Sequence, residues 1–128
     1  MREVLDLRRR LRAGEPQPRL FELLAPDVQL DLSRRIFNPE VYRGHDGLLR
    51  FRREMDEVWE EFSQTPEQII DAGENVVVIE SLHSRGRSSG VELTSRSATV
   101  WTVREGQVVV VVMYHEPQEA LKAVGLPE

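Results

Sequence analysis

Leu48, Phe51, Met55, Val58 and Phe62 fall at i, i+3, i+7, i+10 and i+14, with Leu49 and Trp59 beside them. That spacing predicts one amphipathic helix from about His45 or Asp46 to Phe62, with a single apolar face. The positions between are mostly Arg and Glu, which belong in water. A helix apolar on one side needs a layer to lie on. The rest of the chain supplies it, because beyond Pro66 the apolar period changes from helical to extended.

Four extended segments follow. Glu67 to Ala72 and Val76 to Ile79 flank the turn Gly73-Glu74-Asn75 and read as a hairpin. His83 to Gly90, rich in Ser, Arg and Gly, reads as a strand end and a mobile loop. Val91 to Val103 is a long strand, Arg104-Glu105-Gly106-Gln107 a second hairpin turn, and Val108 to His115 the last strand. Pro117 to Val124 reads as a short helix closed by Gly125. Before the long helix, Val28 to Leu32 alternates as a half-buried strand. Val4, Leu5, Leu7 and Leu11 predict a helix over Glu3 to Ala13, ended by Gly14. Pro16 and Pro18 hold an extended link to a second short helix, about Arg19 to Leu24. Helices early and an antiparallel meander late is the α+β pattern, in one domain spanning residues 1–128. The expected form is a cone: a curved, mixed, mostly antiparallel sheet wrapped around helices, with a sheltered space between them.

Composition narrows the function classes. The chain has no cysteine, which excludes disulfides and thiolate metal sites and fits a reducing, cytoplasmic setting. A formal net charge of -5 gives no long-range attraction to phosphate backbones, so nucleic acid is not an expected partner. The run Arg8-Arg9-Arg10 with Arg12 is read as a solvated face near a helix C-terminus, where cations are favoured. Charges interrupt the apolar residues at the N-terminus, which does not read as a secretory signal, and no apolar run approaches the roughly 20 residues that span a bilayer. His45, His83 and His115 are scattered, with no metal spacing, and neither a Gly-rich phosphate loop nor a G-x-S-x-G elbow is present. No cofactor and no metal are implied.

Ordered motifs run through the chain. They are Leu24-Ala25-Pro26-Asp27-Val28, then Val41-Tyr42-Arg43-Gly44-His45-Asp46-Gly47, then Gly86 with Ser89 and Gly90. Val100-Trp101-Thr102-Val103-Arg104-Glu105-Gly106-Gln107-Val108 and Glu119-Ala120-Leu121 with Gly125-Leu126 complete the set. As a set they resemble the SnoaL-like branch of the nuclear transport factor 2-like superfamily. The resemblance implies that superfamily's cystatin-like α+β barrel. It also implies a small-molecule pocket and cofactor-independent acid-base chemistry, of cyclase or isomerase type, on an apolar carbonyl or polyketide-like compound. The fold hosts many chemistries and non-enzymatic binders, so a ligand-binding or dimerisation module without catalytic groups is the alternative. Ketosteroid isomerase, on the same fold, uses a tyrosine, a carboxylate base and a neutral acid. By motif register these fall at Leu7, Leu32 and Thr99, none of which carries the expected group; a shift of one residue would bring Asp31 to the base position.

The candidate catalytic residues are Asp31, a strand-surface residue or a pocket acid; Tyr114, a core residue or cavity wall; and His83, a loop histidine or a base at the pocket mouth. His115 and Glu116 read as a strand end or helix cap, and His45 as a cap or surface group. Alternation puts Leu93, Ser95, Ser97, Thr99 and Trp101 on one strand face, and Thr94, Arg96, Ala98, Val100 and Thr102 on the other. The family register turns the Thr99 face inward. Trp101 would then join Phe51, Met55 and Trp59, with Ser97 on the wall and Tyr42 near the mouth, either as plain core or as a pocket for a small apolar molecule. Finally, Val108 to Val112 are five consecutive valines. A strand apolar on both sides is covered on both sides. With helices expected on the concave face alone, a second copy packed on the convex face would make a two-fold homodimer through the sheet.

Overall fold

Two tight turns set the sheet's register. At Gly73 and Gly106 the backbone takes φ of +71° and +78°, a region glycine enters without steric cost. These turns join β3 (Trp59–Ala72) to β4 (Asn75–Gly86) and β5 (Glu92–Arg104) to β6 (Gln107–Tyr114). The computed structural model describes residues 1–127 apart from Gly14, Pro16, Ile36 and Phe37. The readings of Gly14 as a helix stop and of Pro16 in an extended link therefore lie outside the described residues, as does part of the loop between Arg34 and Pro39.

Among the described residues the sheet has six strands in the order β2-β1-β6-β5-β4-β3. Here β1 is Leu24–Asp31 and β2 is Val41–Arg43. The β1–β6 pair is parallel and the other pairs are antiparallel. The sheet is open, with β2 and β3 as its edges, and does not close into a barrel. Helices α1 (Arg2–Arg12) and α2 (Pro18–Glu22) lie on one face. Helix α3 (Gly44–Val58) packs against β1, β2 and β3, so it bridges the two ends of the sheet. No helix among the described residues is long and apolar enough to cross a membrane.

The pleat sorts β4 into two cores. Val76 and Val78, with Trp101, Val108 and Val111, pack against Val4, Leu5 and Leu7 of α1 and Leu20 of α2. Val77 and Ile79, with Ala98, Val100 and Tyr114, pack against Ala120 of α4 (Pro117–Ala123). This second core corrects the expectation that helices cover only the concave face. Val111 meets the α1 side and Val112 the α4 side, so within the valine run both faces are covered by the chain itself.

The long helix is shorter than its periodicity predicts. It stops at Val58, and Trp59 to Phe62 are strand. The long β4–β5 arm offers a partner: Trp59 pairs with Gly86, Glu61 with Arg85 and Phe62 with Ser84. Arg85 also reaches Glu60 and Glu61 in ion pairs of 3.3 and 2.9 Å. Ladder pairing outweighs the local helical pattern, as tertiary context commonly does. The segment from His83, read as a strand end and a loop, is strand as far as Gly86.

Candidate functional site

Helix α1 places Arg8 and Arg12 one turn apart, on the side that carries Val4. Strand β4 places Glu80 two residues beyond Val78, on the same sheet face. These three side chains meet on the concave floor. Glu80 has 0% exposure, the most enclosed charged residue of the described chain. Arg8 donates from Nη1 to Glu80 Oε1 at 3.2 Å and from Nη2 to Oε2. Such a two-pronged pair is the strong geometry for a guanidinium and a carboxylate. The Thr99 hydroxyl donates to Glu80 Oε1 at 3.4 Å and accepts from Trp101 Nε1 at 2.7 Å. The Arg8 guanidinium stands 5.7 Å from the centre of the Trp101 ring. Strand register adds Ser97 opposite Glu80 and Met113 opposite Thr99 on this face.

Arg12 is held differently. Its guanidinium lies 5.0 Å from the centre of the Phe62 ring, a cation–π contact. Its Nε is shut off from solvent with no hydrogen-bond partner. Burial, together with the like charges of Arg8 and Arg52, brings its pKa down to about 10, against the attraction of Glu80 and Asp56. Further out, the floor opens. Leu93, on the Thr99 face of β5, is 52% exposed, and Val91 and Val58 are 54% and 55% exposed. Leu82, Trp59 and Phe62 border this apolar shelf by register.

Tyr42 is buried at the edge of the fold. Its hydroxyl donates to Glu54 at 3.0 Å, its ring meets Phe51 edge-on at 5.2 Å, and Arg50 lies 4.5 Å from the ring centre. Burial first, and the Glu54 carboxylate second, raise its pKa above the ordinary phenol value. A phenol whose folded pKa exceeds its unfolded one contributes stability that is complete below about pH 10 and is lost as pH rises through the folded value. The chain has two tyrosines, so a Tyr114→Phe variant isolates the Tyr42 titration. Alkaline absorbance titration of that variant is expected to give a midpoint above that of free tyrosine; a midpoint at or below it would contradict the buried, acceptor-facing hydroxyl.

The residues nominated from sequence separate into two groups. Ser97, Thr99 and Trp101 stand on the concave face. Phe51 and Met55 are half-buried on α3, and Trp59 stands at the start of β3 instead of on the helix. Asp31, Tyr114 and His83 stand on the opposite face. Asp31 pairs with Val112 and accepts from Ser33 N at 2.9 Å, closing a turn at the strand end. Tyr114 lies in the α4 core with Arg34 4.6 Å from its ring centre. His83 pairs with Thr94, and its Nδ1 is 3.4 Å from Thr94 Oγ1. The structure therefore does not bring these three to the Thr99 face. His45 donates from Nε2 to the Leu24 carbonyl at 3.0 Å and meets Phe21 edge-on, while His115 is exposed. Leu7 and Leu32, at the positions of the tyrosine and the base, are buried apolar residues. No group of three or more His, Cys, Asp or Glu among the described residues is placed to hold a metal ion.

Sequence reasoning missed Arg8, Arg12 and Glu80. The signal was there. Arg8 and Arg12 continue the Val4 stripe at i+4 and i+8, and Glu80 continues the Val76 and Val78 alternation. Only Arg9 and Arg10 are the solvated pair, both bound to Asp6.

A family model described as a SnoaL-like domain matches residues 4–111. The chain belongs to the SnoaL-like family. No curated protein sequence matches it. Among solved structures, a nuclear transport factor 2-like protein of unknown function from Burkholderia pseudomallei is 23% identical with a TM-score of 0.72, covering 97% of this chain and 93% of its own. A hypothetical protein of ketosteroid isomerase-like fold from Catenulispora acidiphila, in complex with trimethylamine, is 17% identical with a TM-score of 0.74, covering 98% and 94%. TerC, co-crystallised with polyporic acid, is 18% identical with a TM-score of 0.71, covering 94% and 92%. At these identities the likeness establishes the SnoaL-like fold alone.

Proposed function

We propose that this SnoaL-like chain binds a small, largely apolar molecule on the open concave shelf formed by Leu82, Leu93, Trp59 and Phe62. The carrying observation is the state of Glu80. The acid on the concave floor is enclosed, doubly bonded to Arg8 and capped by Thr99, so both its oxygens are engaged. A carboxylate so held serves the fold and is poorly placed to take a proton from a ligand. The exposed Leu93 and Val91, further out along the same arm, offer apolar area that a ligand would cover. The fold neighbours crystallised with trimethylamine and with polyporic acid support a small molecule as the occupant. Pairing of two copies through the sheet belongs to the same proposal, with α4 on the face concerned.

Thr99 favours a second reading: cofactor-independent proton transfer next to a carbonyl of polyketide-like type. Its hydroxyl faces inward where the family resemblance places an oxyanion-holding group. That chemistry would need a base near Thr99, and Asp31, Tyr114 and His83 stand on the α4 face.

The probe 2-acetylnaphthalene separates the two, because it is apolar and has exchangeable protons beside its carbonyl. Binding is expected to quench tryptophan fluorescence saturably, with no methyl deuteration in heavy water beyond the protein-free rate. Accelerated deuteration would favour the enzyme, and absence of saturable quenching would remove the binding reading.

A further inference from the structure

We propose that Arg12 is the receptor for an anionic oxygen, so that the molecule taken up on the concave shelf is an acid, carried as its carboxylate or enolate. The inference rests on the binding reading above and adds the charge of the ligand.

Arg8 and Arg12 are the same residue type one turn apart, yet their situations differ. Arg8 is saturated by Glu80, with 13% of its side chain exposed. Arg12 has no such partner among the described residues: its Nε is sealed without a hydrogen bond, and the side chain rests on the Phe62 ring. A part-buried guanidinium with a sealed Nε and cationic neighbours is costly unless a compensating anion arrives. The surrounding charges do not supply one. Three cations, Arg8, Arg12 and Arg52, act here against two carboxylates, Glu80 and Asp56, and Glu80 is already committed to Arg8. The depressed pKa of Arg12, down to about 10, has the same origin: burial and neighbouring cations disfavour its charge. Arg12 also borders the apolar shelf through Phe62. A ligand with an aromatic or alicyclic body and one anionic oxygen would lay its body on Leu93 and Trp59 and direct the oxygen to the guanidinium, whose planar donors suit a carboxylate.

A basic depression of about 510 Å³ lined by Arg43, Arg50 and Arg53 is weaker ground. Arg50 there is already paired with Glu40 and Glu54.

The test compares 2-naphthoate with methyl 2-naphthoate, the same body with and without the charge, by calorimetry and tryptophan fluorescence on the whole chain. The acid is expected to bind at least tenfold tighter, equivalent to about 1.4 kcal/mol. Arg12→Met is expected to abolish that preference while ester binding persists, and Arg12→Lys to keep part of it. The wild-type comparison needs no variant to fold, and the melting temperature of each variant checks its integrity. Equal affinities, or a preference that survives Arg12→Met, would overturn the assignment. Ester binding without acid binding would overturn it too while leaving the shelf intact as a binding site. Binding of neither probe would remove both readings.

Discussion

Replacing Glu80 with alanine is expected to cost this SnoaL-like domain about 3 kcal/mol or more of folding stability, the range seen when one partner of a buried ion pair is removed. The carboxylate is fully enclosed and Arg8 nearly so, so the variant leaves a guanidinium facing a void on the apolar side of the sheet. Thr99 and Trp101 lose the acceptor at the end of their chain as well. Arg8→Met is expected to be nearly as costly, because it strands the carboxylate instead. The double variant Arg8→Met with Glu80→Leu removes both charges, and is expected to recover most of the loss, since apolar replacement of a buried pair is often neutral. Urea unfolding of these proteins measures this directly, and Glu80→Leu alone closes the cycle with Arg8→Met and the double variant, whose coupling gives the size of the pair term. A Glu80→Ala loss below about 1 kcal/mol would mean that water reaches the pair, as it does in exposed ion pairs. In that case the argument that Glu80 is unavailable for proton transfer would fail with it.

The elements that could be anticipated from residue order are those in which local pattern and tertiary packing agree. The valine runs of β4 and β6 and the β-branched residues of β5 mark these segments as strands, and the turns at Gly73 and Gly106 hold glycines at positive φ, so the register of both hairpins is specified. Strand parity leaves two choices for Thr99, and the structure buries it with Ser97 and Trp101 on the face that α1 covers. Where local and tertiary preferences diverge, the pattern misleads. Trp59 and Phe62 fit the helix period, yet the β4–β5 arm claims them as strand. The site was harder still. A charged residue on an apolar stripe looks the same in sequence whether it snorkels to water or meets its opposite across the core. Arg8 and Glu80 are 72 positions apart, and nothing local links them. Only the packing of α1 over β4 makes them a pair. Asp31 shows the converse. As an acid at the end of β1 it had the profile of a pocket group, and its oxygen instead accepts from the Ser33 backbone and hydroxyl two residues on. Asp readily takes this local bond at strand ends.

A charge at Ala120 is expected to separate α4 from the sheet. Ala120 has 0% exposure and shares one core with Ala98, itself 0% exposed, and with Tyr114 and Ile79. There is no room at this position for a longer side chain, and an unpaired carboxylate there would meet only apolar atoms. Ala120→Glu therefore cannot be accommodated in place. The cost of burying the charge is several kcal/mol, more than a seven-residue helix gains by docking, so the helix detaches and the rest of the fold survives. Two results should follow together. Protease should cleave within residues 115–124 faster than in the wild type, and the urea midpoint should fall with a smaller m-value, because less surface remains to be exposed on unfolding. Detachment also bares Ile79, Val100 and Tyr114 on a flat strand surface, so light scattering should show concentration-dependent association beyond that of the wild type. If the variant instead keeps the wild-type cleavage rate and m-value, α4 does not shield this face, and the double covering of the valine strand must come from a second copy.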